Sequence, residues 1–223
     1  MHLLMVTVHT FAHSTSSTSL MTICVLLQHI IIPLLIVIPI IIRLTSKGPA
    51  IFTQERTGKD GKTFKIYKFR TMLVPEESFD ADGNPLLPAQ RITKVGRILR
   101  KTSLDEIAQI FNIINGTMSI VGPRPTLPYQ KERYTERQLR RHEMRPGVTG
   151  WAQVNGRNNL TWTEKIEFDL EYIEKFSLWM DIKILFRTVL VVLKQEGIAF
   201  TKADAVINAQ TSESAAQKDT VSK

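Results

Sequence analysis

The chain of 223 residues holds a single cysteine, Cys24. A disulfide framework is therefore excluded, and a reducing compartment is allowed. Aromatic residues make up only 8%, few for a surface that reads bases by stacking. No GxxxxGK[ST], GxGxxG, HExxH or CxxC pattern occurs, which argues against a P-loop, a dinucleotide site, a zincin and a dithiol centre. The sharpest lack is charge: no Asp, Glu, Lys or Arg precedes Arg43. His2, His9 and His13 lie in that stretch without Cys or acidic company, and read as incidental rather than as a metal site.

What is present is ordinary for a folded chain, with 43% apolar and 22% charged residues. The net charge is +8, from 29 basic and 21 acidic residues. Residues 201–223 carry three of each sign, so the whole excess sits on residues 43–200. An uncharged leader joined to a basic domain points to an anionic partner such as a membrane surface, a nucleic acid or a phosphorylated substrate.

From Leu20 to Ile42 runs an uncharged, mostly apolar segment long enough to span a bilayer as a helix. Pro33 and Pro39 interrupt it, and each removes a backbone donor. A straight anchor and a broken, re-entrant helix both remain open on this evidence. Arg43 and Lys47 follow at once, which places the globular part on the cytoplasmic side.

Beyond the leader, Ala50–Arg56 and Thr63–Arg70 read as strands joined by a turn at Asp60-Gly61. Residues 74–90 read as a surface loop. Arg91–Lys101 has the spacing of a basic amphipathic helix. Ser103-x-x-Glu106 fits a capping box, with Leu104, Ile107, Ile110, Phe111 and Ile114 continuing a helix to Asn115-Gly116. Val121–Pro125 must be extended, residues 129–143 read as a charged helix, and 145–157 as a glycine-punctuated loop. Thr161-x-x-Glu164 opens a helix running to about Phe176. Leu178–Glu196 is apolar with Lys183, Arg187 and Lys194 near one face, which predicts a helix lying on anionic lipid. The tail from Thr201 is predicted to be disordered.

The constellation that suggests chemistry is Asp105-Glu106 at a predicted helix start, with Arg97, Arg100, Arg124, Arg145 and Arg157 elsewhere in the chain. Free N–H groups and nearby arginines would keep Asp105 ionised. Two carboxylates suit Mg²⁺ shared with phosphate oxygens, and an arginine between prolines is a pre-set phosphate fork. These parts describe a site for a diphosphate and a metal. The bland alternative is that acidic residues in a first helical turn only serve the helix dipole. Trp151 is a candidate to stack on uracil, or else a packing anchor.

Longer motifs carry more. Phe52-Thr-Gln-Glu-Arg-x-Gly58, Phe64-Lys-Ile-Tyr-Lys-Phe-Arg-Thr-Met72, Thr102-Ser-Leu-Asp-Glu106, Met118-Ser-x-Val-Gly-Pro-Arg-Pro125 and Arg145-Pro-Gly-x-Thr-Gly-Trp-Ala-Gln-Val-Asn-Gly-Arg157 resemble the bacterial sugar transferase family. The resemblance runs from about Pro33 to Gly197 and is to the small, monotopic phosphoglycosyl transferases, such as those acting on UDP-bacillosamine. It implies an α+β, mainly helical fold with a re-entrant membrane helix hinged at Pro33, a small β-hairpin, and amphipathic interfacial helices around the active site. The corresponding division is a divergent N-terminus (1–19), a membrane helix (20–42), a catalytic domain (43–200) and a disordered tail (201–223).

The implied reaction moves a sugar 1-phosphate from a UDP-sugar, with an N-acetylated amino sugar expected, to polyprenyl (undecaprenyl) phosphate. Asp105 would attack the β-phosphorus, and Glu106, with Asp105, would hold Mg²⁺. Arg100, Arg124, Arg145, Arg157 and Trp151 would bind substrate. The product would start a capsule, O-antigen, exopolysaccharide or glycoprotein glycan, with downstream glycosyltransferases as possible partners. The location implied is the bacterial inner membrane, catalytic domain on the cytoplasmic face. A non-catalytic basic scaffold on the membrane is the alternative. A nucleic-acid binder is disfavoured, because a carboxylate pair lies among the basic residues and would repel phosphate without a metal.

Overall fold

The structure, a computed structural model, describes residues 17–80 and 82–194. The expectations for His2, His9 and His13 and for the tail from Thr201 lie outside the described residues. Helix α1 (Ser17–Thr45) takes up the apolar leader and holds both Pro33 and Pro39 within it. Its described side chains divide by face. Ile38 and Ile42 are buried, while Ile32, Ile36, Ile40, Ile41 and Leu44 are exposed. Among the described residues, no helix is long and apolar enough to cross a membrane.

Strands β1 (Ile51–Thr57) and β2 (Thr63–Phe69) form an antiparallel hairpin in register Ile51 with Phe69 and Arg56 with Phe64. The turn sits where the sequence placed it, with Asp60 and Gly61 both at positive φ. β2 continues into Arg70, whose guanidinium donates to the carbonyls of Ser46 and Lys47 and so ties the hairpin to the end of α1. Helix α2 (Lys94–Lys101) is capped by the Thr93 hydroxyl, which accepts from the Gly96 N–H at 2.9 Å. Ile38, Ile42, Ala50, Phe69, Leu99 and Ala108 form one apolar core joining α1, the hairpin and α2.

The next stretch departs from expectation. Ser103 adopts left-handed backbone (φ 56°) and makes no side-chain cap. Leu104–Gln109 is a 3₁₀ helix that becomes α3 (Ile110–Ile114). The Ser103 to Glu106 capping box therefore does not form, because the Glu106 carboxylate is taken by cations from distant elements. Fully buried Asn112 fixes this segment to the hairpin: its Oδ1 accepts from the Tyr67 N–H at 3.0 Å and its Nδ2 donates to the Lys65 carbonyl at 2.8 Å.

Strand β3 (Ser119–Val121) is followed by α4 (Pro128–Lys131) and α5 (Glu136–Leu139), with a 3₁₀ turn at Arg140–His142. The single charged helix expected over 129–143 is thus broken. Thr135 restarts it, with a capping box closed by Gln138. Strand β4 (Gly147–Thr149) pairs with β3 in parallel, Ser119 beside Gly147 and Val121 beside Thr149. The approach is backbone to backbone: a Cβ on Gly147 would lie 2.1 Å from the Gly122 nitrogen, and one on Gly122 would lie 2.4 Å from the Arg145 carbonyl oxygen. Glycine at these two places is what lets the segments meet.

Helix α6 (Trp151–Val154) leads to α7 (Trp162–Glu174), which has the expected Thr161–Glu164 capping box, and then α8 (Leu178–Lys194). Val121, Trp151, Tyr172 and Ile184 form a second core. α8 turns its apolar side outward: Leu178, Trp179, Phe186 and Leu193 are all exposed. Lys183 and Arg187 instead lie over the Trp151 ring, 5.0 and 5.2 Å from its centre. The exposed side of α8 is thus largely apolar, with Lys183 and Lys194 also exposed, where the sequence drew attention to the cations.

Candidate active site

The first turn of the 3₁₀ helix presents Asp105 and Glu106 side by side. β2 delivers Lys68 to this point, and the extended Pro-Arg-Pro segment after β3 delivers Arg124. The Glu106 Oε1 accepts from Lys68 Nζ at 2.7 Å and from Arg124 Nη2 at 2.8 Å. The Glu106 and Lys68 side chains are each only 19% exposed, and Arg124 is half exposed to the cleft. Burial alone would raise the Glu106 pKa. The charges of Arg124 and Lys68, and their hydrogen bonds, overcome it and hold the carboxyl well below the usual carboxylate range. Burial pushes the Lys68 ammonium down, and the Glu106 charge opposes it.

Asp105 behaves oppositely. Burial, and then the Glu106 charge, raise its pKa, against the pull of Lys68, Arg100 and Arg124. The sequence expectation of a helix start and arginines that only favour its ionisation misses this desolvation. Arg100, at the end of α2, donates from Nε to Thr71 Oγ1 at 2.8 Å. Its own pKa is lowered by burial, with the Asp105 charge acting the other way. Arg157 donates from Nη2 to Ser103 Oγ at 3.1 Å. Ser103 and Arg157 both hold positive φ (56° and 52°), two of the three non-glycine residues that do so among the described residues. Such backbone costs about 1–3 kcal/mol and collects at functional sites.

Two cavities meet here. One, of about 1250 Å³, is lined by Lys68, Arg100, Asp105, Glu106, Arg124 and Arg157, with residues of the hairpin and the 70–77 segment. The other, of about 610 Å³, reaches from Glu106, Arg124 and Arg157 past Gln153 and Asp169 to Thr188, Val191 and Val192 of α8. Arg56, Ser103, Glu106, Arg124 and Arg157 line both. Arg56, from β1, donates to Gln54 Oε1 at 2.6 Å, and burial lowers its pKa to about 10. Five cations (Arg56, Lys68, Arg100, Arg124 and Arg157) thus surround two carboxylates, a balance that favours a diphosphate anion.

Among the described residues no group of three or more His, Cys, Asp and Glu is placed to hold a metal. Asp105 and Glu106 are the two carboxylates that would hold Mg²⁺ here, an ion that takes one or two carboxylates and completes its shell with waters and phosphate oxygens.

The structure brings Arg100, Asp105, Glu106, Arg124 and Arg157 together. Arg145 is exposed and lines neither cavity. Trp151 also lines neither. It is buried, and its Nε1 donates to Glu171 at 2.8 Å, so from this position it packs the core rather than stacking on a base. Pro33 lies within α1, away from both cavities. Sequence reasoning missed Lys68 and Arg56. Both stand inside motifs already singled out, but β2 carries Lys65 as well as Lys68, so the strand alone does not mark which cation meets the carboxylates.

A family model described as bacterial sugar transferase matches residues 13–195. The "Uncharacterized sugar transferase EpsL" of Bacillus subtilis is 48% identical over 161 residues, 72% of this chain and 78% of that relative. The "UDP-glucose:undecaprenyl-phosphate glucose-1-phosphate transferase" of Escherichia coli is 47% identical over 171 residues, 72% of this chain and 36% of that protein. The "Undecaprenyl-phosphate galactose phosphotransferase" of Salmonella typhimurium is 41% identical over 164 residues, 67% of this chain and 34% of that protein. The chain thus matches about a third of the longer relatives and most of the short one. With the carboxylate pair and its ring of cations inside the matched span, the chain belongs to the bacterial sugar transferase family.

Proposed function

We propose that this protein transfers a sugar 1-phosphate from a UDP-sugar to undecaprenyl phosphate in two displacements at Asp105. The observation that carries the reading is a half-buried aspartate beside a carboxylate clamped by Lys68 and Arg124, inside a cleft lined by five further arginines, Arg56, Arg100 and Arg157 among them. The printed names of the longer relatives supply the substrate class.

In the first displacement an Asp105 carboxylate oxygen bonds to the β-phosphorus. The bond from that phosphorus to the bridging oxygen breaks, and UMP departs with the electron pair. In the second, a phosphate oxygen of undecaprenyl phosphate attacks the same phosphorus and returns the carboxylate, giving the lipid diphosphosugar. Desolvation of Asp105 suits it as a nucleophile, since its charge is weakly solvated and needs little stripping before attack. Arg100, Arg124 and Arg157 neutralise the transferring phosphates and orient them in the cleft. Mg²⁺, when bound at Asp105 and Glu106, would supply further neutralisation of the diphosphate. The Glu106 clamp keeps one carboxylate charged and fixed at that place.

The exposed apolar faces of α1 and α8 support seating at a membrane surface, with the cleft at the interface where the acceptor phosphate resides. A bend of α1 at Pro33 would return both of its ends to the cytoplasmic side, and successful labelling of a cysteine placed near residue 5 from the periplasm would refute that topology.

The test of the reaction is incubation with labelled UDP-sugar and no lipid. A protein-bound sugar phosphate on the peptide holding Asp105 is expected, and Asp105→Asn should abolish it and UMP release together. Wild-type turnover in Asp105→Asn would remove the nucleophile. Unchanged rates in EDTA would remove Mg²⁺, and absence of UMP release with every donor would leave the scaffold reading. An N-acetylated amino sugar is the donor we propose. Glucose and galactose, named for the relatives, are the competing donors in the same panel.

A further inference from the structure

The most deeply buried ion pair among the described residues stands at the wall of the smaller cavity. The side chains of Arg141, on the 3₁₀ turn Arg140–His142, and Asp169, on α7, are 3% and 1% exposed. Withdrawing two charges from water is costly, and a well-packed apolar pair in such a place is often at least as stable. Stability alone therefore gives a weak account of the pair.

Its hydrogen bonds give a better one. Arg141 Nη2 donates to Asp169 Oδ2 and, at 3.1 Å, to the backbone carbonyl of Arg124. Nη1 donates to the Tyr134 hydroxyl at 2.7 Å, and the guanidinium lies 5.5 and 5.7 Å from the ring centres of Tyr134 and Trp162. Arg124 stands between Pro123 and Pro125, neither of which has an N–H with which to anchor the segment. The segment is held through its carbonyls instead. Pro123 accepts from the Gly147 N–H at 3.0 Å, and Thr126 from the Thr57 N–H at 2.8 Å. For the Arg124 carbonyl, the partner among the described hydrogen bonds is Arg141. Past that carbonyl, the Arg124 side chain reaches Glu106.

We propose that Arg141 and Asp169 are positioning residues, which fix the Pro-Arg-Pro backbone so that Arg124 stays on Glu106 beside Asp105. The inference rests on the reaction proposed above. Asp169 neutralises and aims the Arg141 fork, and the fork sets where the Arg124 side chain begins. Lysine keeps the charge but lacks the planar fork that serves Asp169, Tyr134 and the carbonyl at once. Misplacing a group that handles the reacting phosphate by about 1 Å can cost on the order of 10²-fold in rate.

The experiment uses the full chain in lipid nanodiscs, with Arg141→Lys, Asp169→Asn, Arg124→Ala and the double variant Arg124→Ala/Arg141→Lys. Two quantities are read: kcat/KM for UMP release per folded molecule, and the guanidinium signals of Arg124 in ¹⁵N-arginine-labelled protein, assigned with Arg124→Ala. Arg141→Lys and Asp169→Asn should each lose roughly 10- to 100-fold in kcat/KM. The double variant should be no worse than Arg124→Ala. In both single variants the Arg124 guanidinium signal should move from its hydrogen-bonded position on Glu106 to that of a solvated arginine. A purely structural role would lower thermal stability and leave that signal in place. If Arg141→Lys fails to fold, the near-isosteric Asp169→Asn decides by the same readouts. An unmoved Arg124 signal, or losses that multiply in the double variant, overturns the proposal. Should Asp105→Asn remain active while the signal still moves, the assigned reaction falls and the positioning of Arg124 stands.

Discussion

Asp105→Asn and Glu106→Gln should shift stability in opposite directions, although the two residues are adjacent. Glu106→Gln keeps an oxygen to accept from Lys68 and Arg124 but loses the charge. Charge-assisted hydrogen bonds are about twice as strong as neutral ones, and those to charged groups contribute about 1.5–3 kcal/mol each. Two such bonds weakened by half come to about 1.5–3 kcal/mol, which for a chain of this size lowers Tm by roughly 3–12 °C. Asp105→Asn does the reverse, since it removes a carboxylate whose charge is disfavoured by burial and by Glu106. The pH dependence separates the two. The Glu106 contribution is full above its unfolded pKa, about 4.3, and is lost as pH falls toward its depressed folded value. The cost of charging Asp105 is absent below its unfolded pKa, about 3.9, grows as pH rises through the raised folded value, and is complete above it. At pH 7 both gaps from wild type are therefore open with opposite sign, and both close on acidification. Thermal unfolding by intrinsic fluorescence at one scan rate, from pH 3 to pH 7, measures this. An Asp105→Asn protein destabilised as much as Glu106→Gln at pH 7 would refute the electrostatic account of the pair.

Three further outcomes follow from the same geometry. Lys68→Met leaves Glu106 with Arg124 alone, and should lower UMP release at least about tenfold while Lys65→Met, at an exposed position of β2, stays near wild type. Trp151→Phe loses the hydrogen bond to Glu171 and should cost about 1–2 kcal/mol in thermal unfolding, with KM for the UDP-sugar unchanged; a raised KM would return Trp151 to the binding site. Arg157→Ala should reduce kcat/KM at least about tenfold and Arg145→Ala less than about twofold, because only Arg157 lines the two cavities; equal losses would contradict the placement.

Where local rules act alone, the sequence is a good guide. Thr161 and Glu164 close a capping box between neighbours, and the 51–69 hairpin is set by alternation and by Asp60-Gly61, so both elements stand where expected. The pattern misled where a side chain had a stronger distant partner. Ser103 and Glu106 satisfy the same capping rule as Thr161 and Glu164, yet Glu106 turns to Lys68 and Arg124, 38 and 18 residues away in the chain. The β3–β4 pair is hidden for another reason. Each strand has three residues, too few for alternation to show, and the pairing is long-range and parallel. For the site, Asp105, Glu106, Arg100, Arg124 and Arg157 were legible as a group because motifs and charge coincide. Lys68 and Arg56 were not, since a cation on a strand gives no sign in one dimension of which way it will face.

The crossing at Gly122 and Gly147 bears on how such an enzyme can diversify. Both missing side chains would collide with main-chain atoms, which no rotamer change relieves. Arg124 stands two residues beyond Gly122, so a bulkier residue at either place would lever Arg124 away from Glu106 and out of the cleft. Two of the eleven glycines are thereby closed to drift. Descendants that diverge from this chain must vary elsewhere along the walls of the two cavities, leaving this junction untouched.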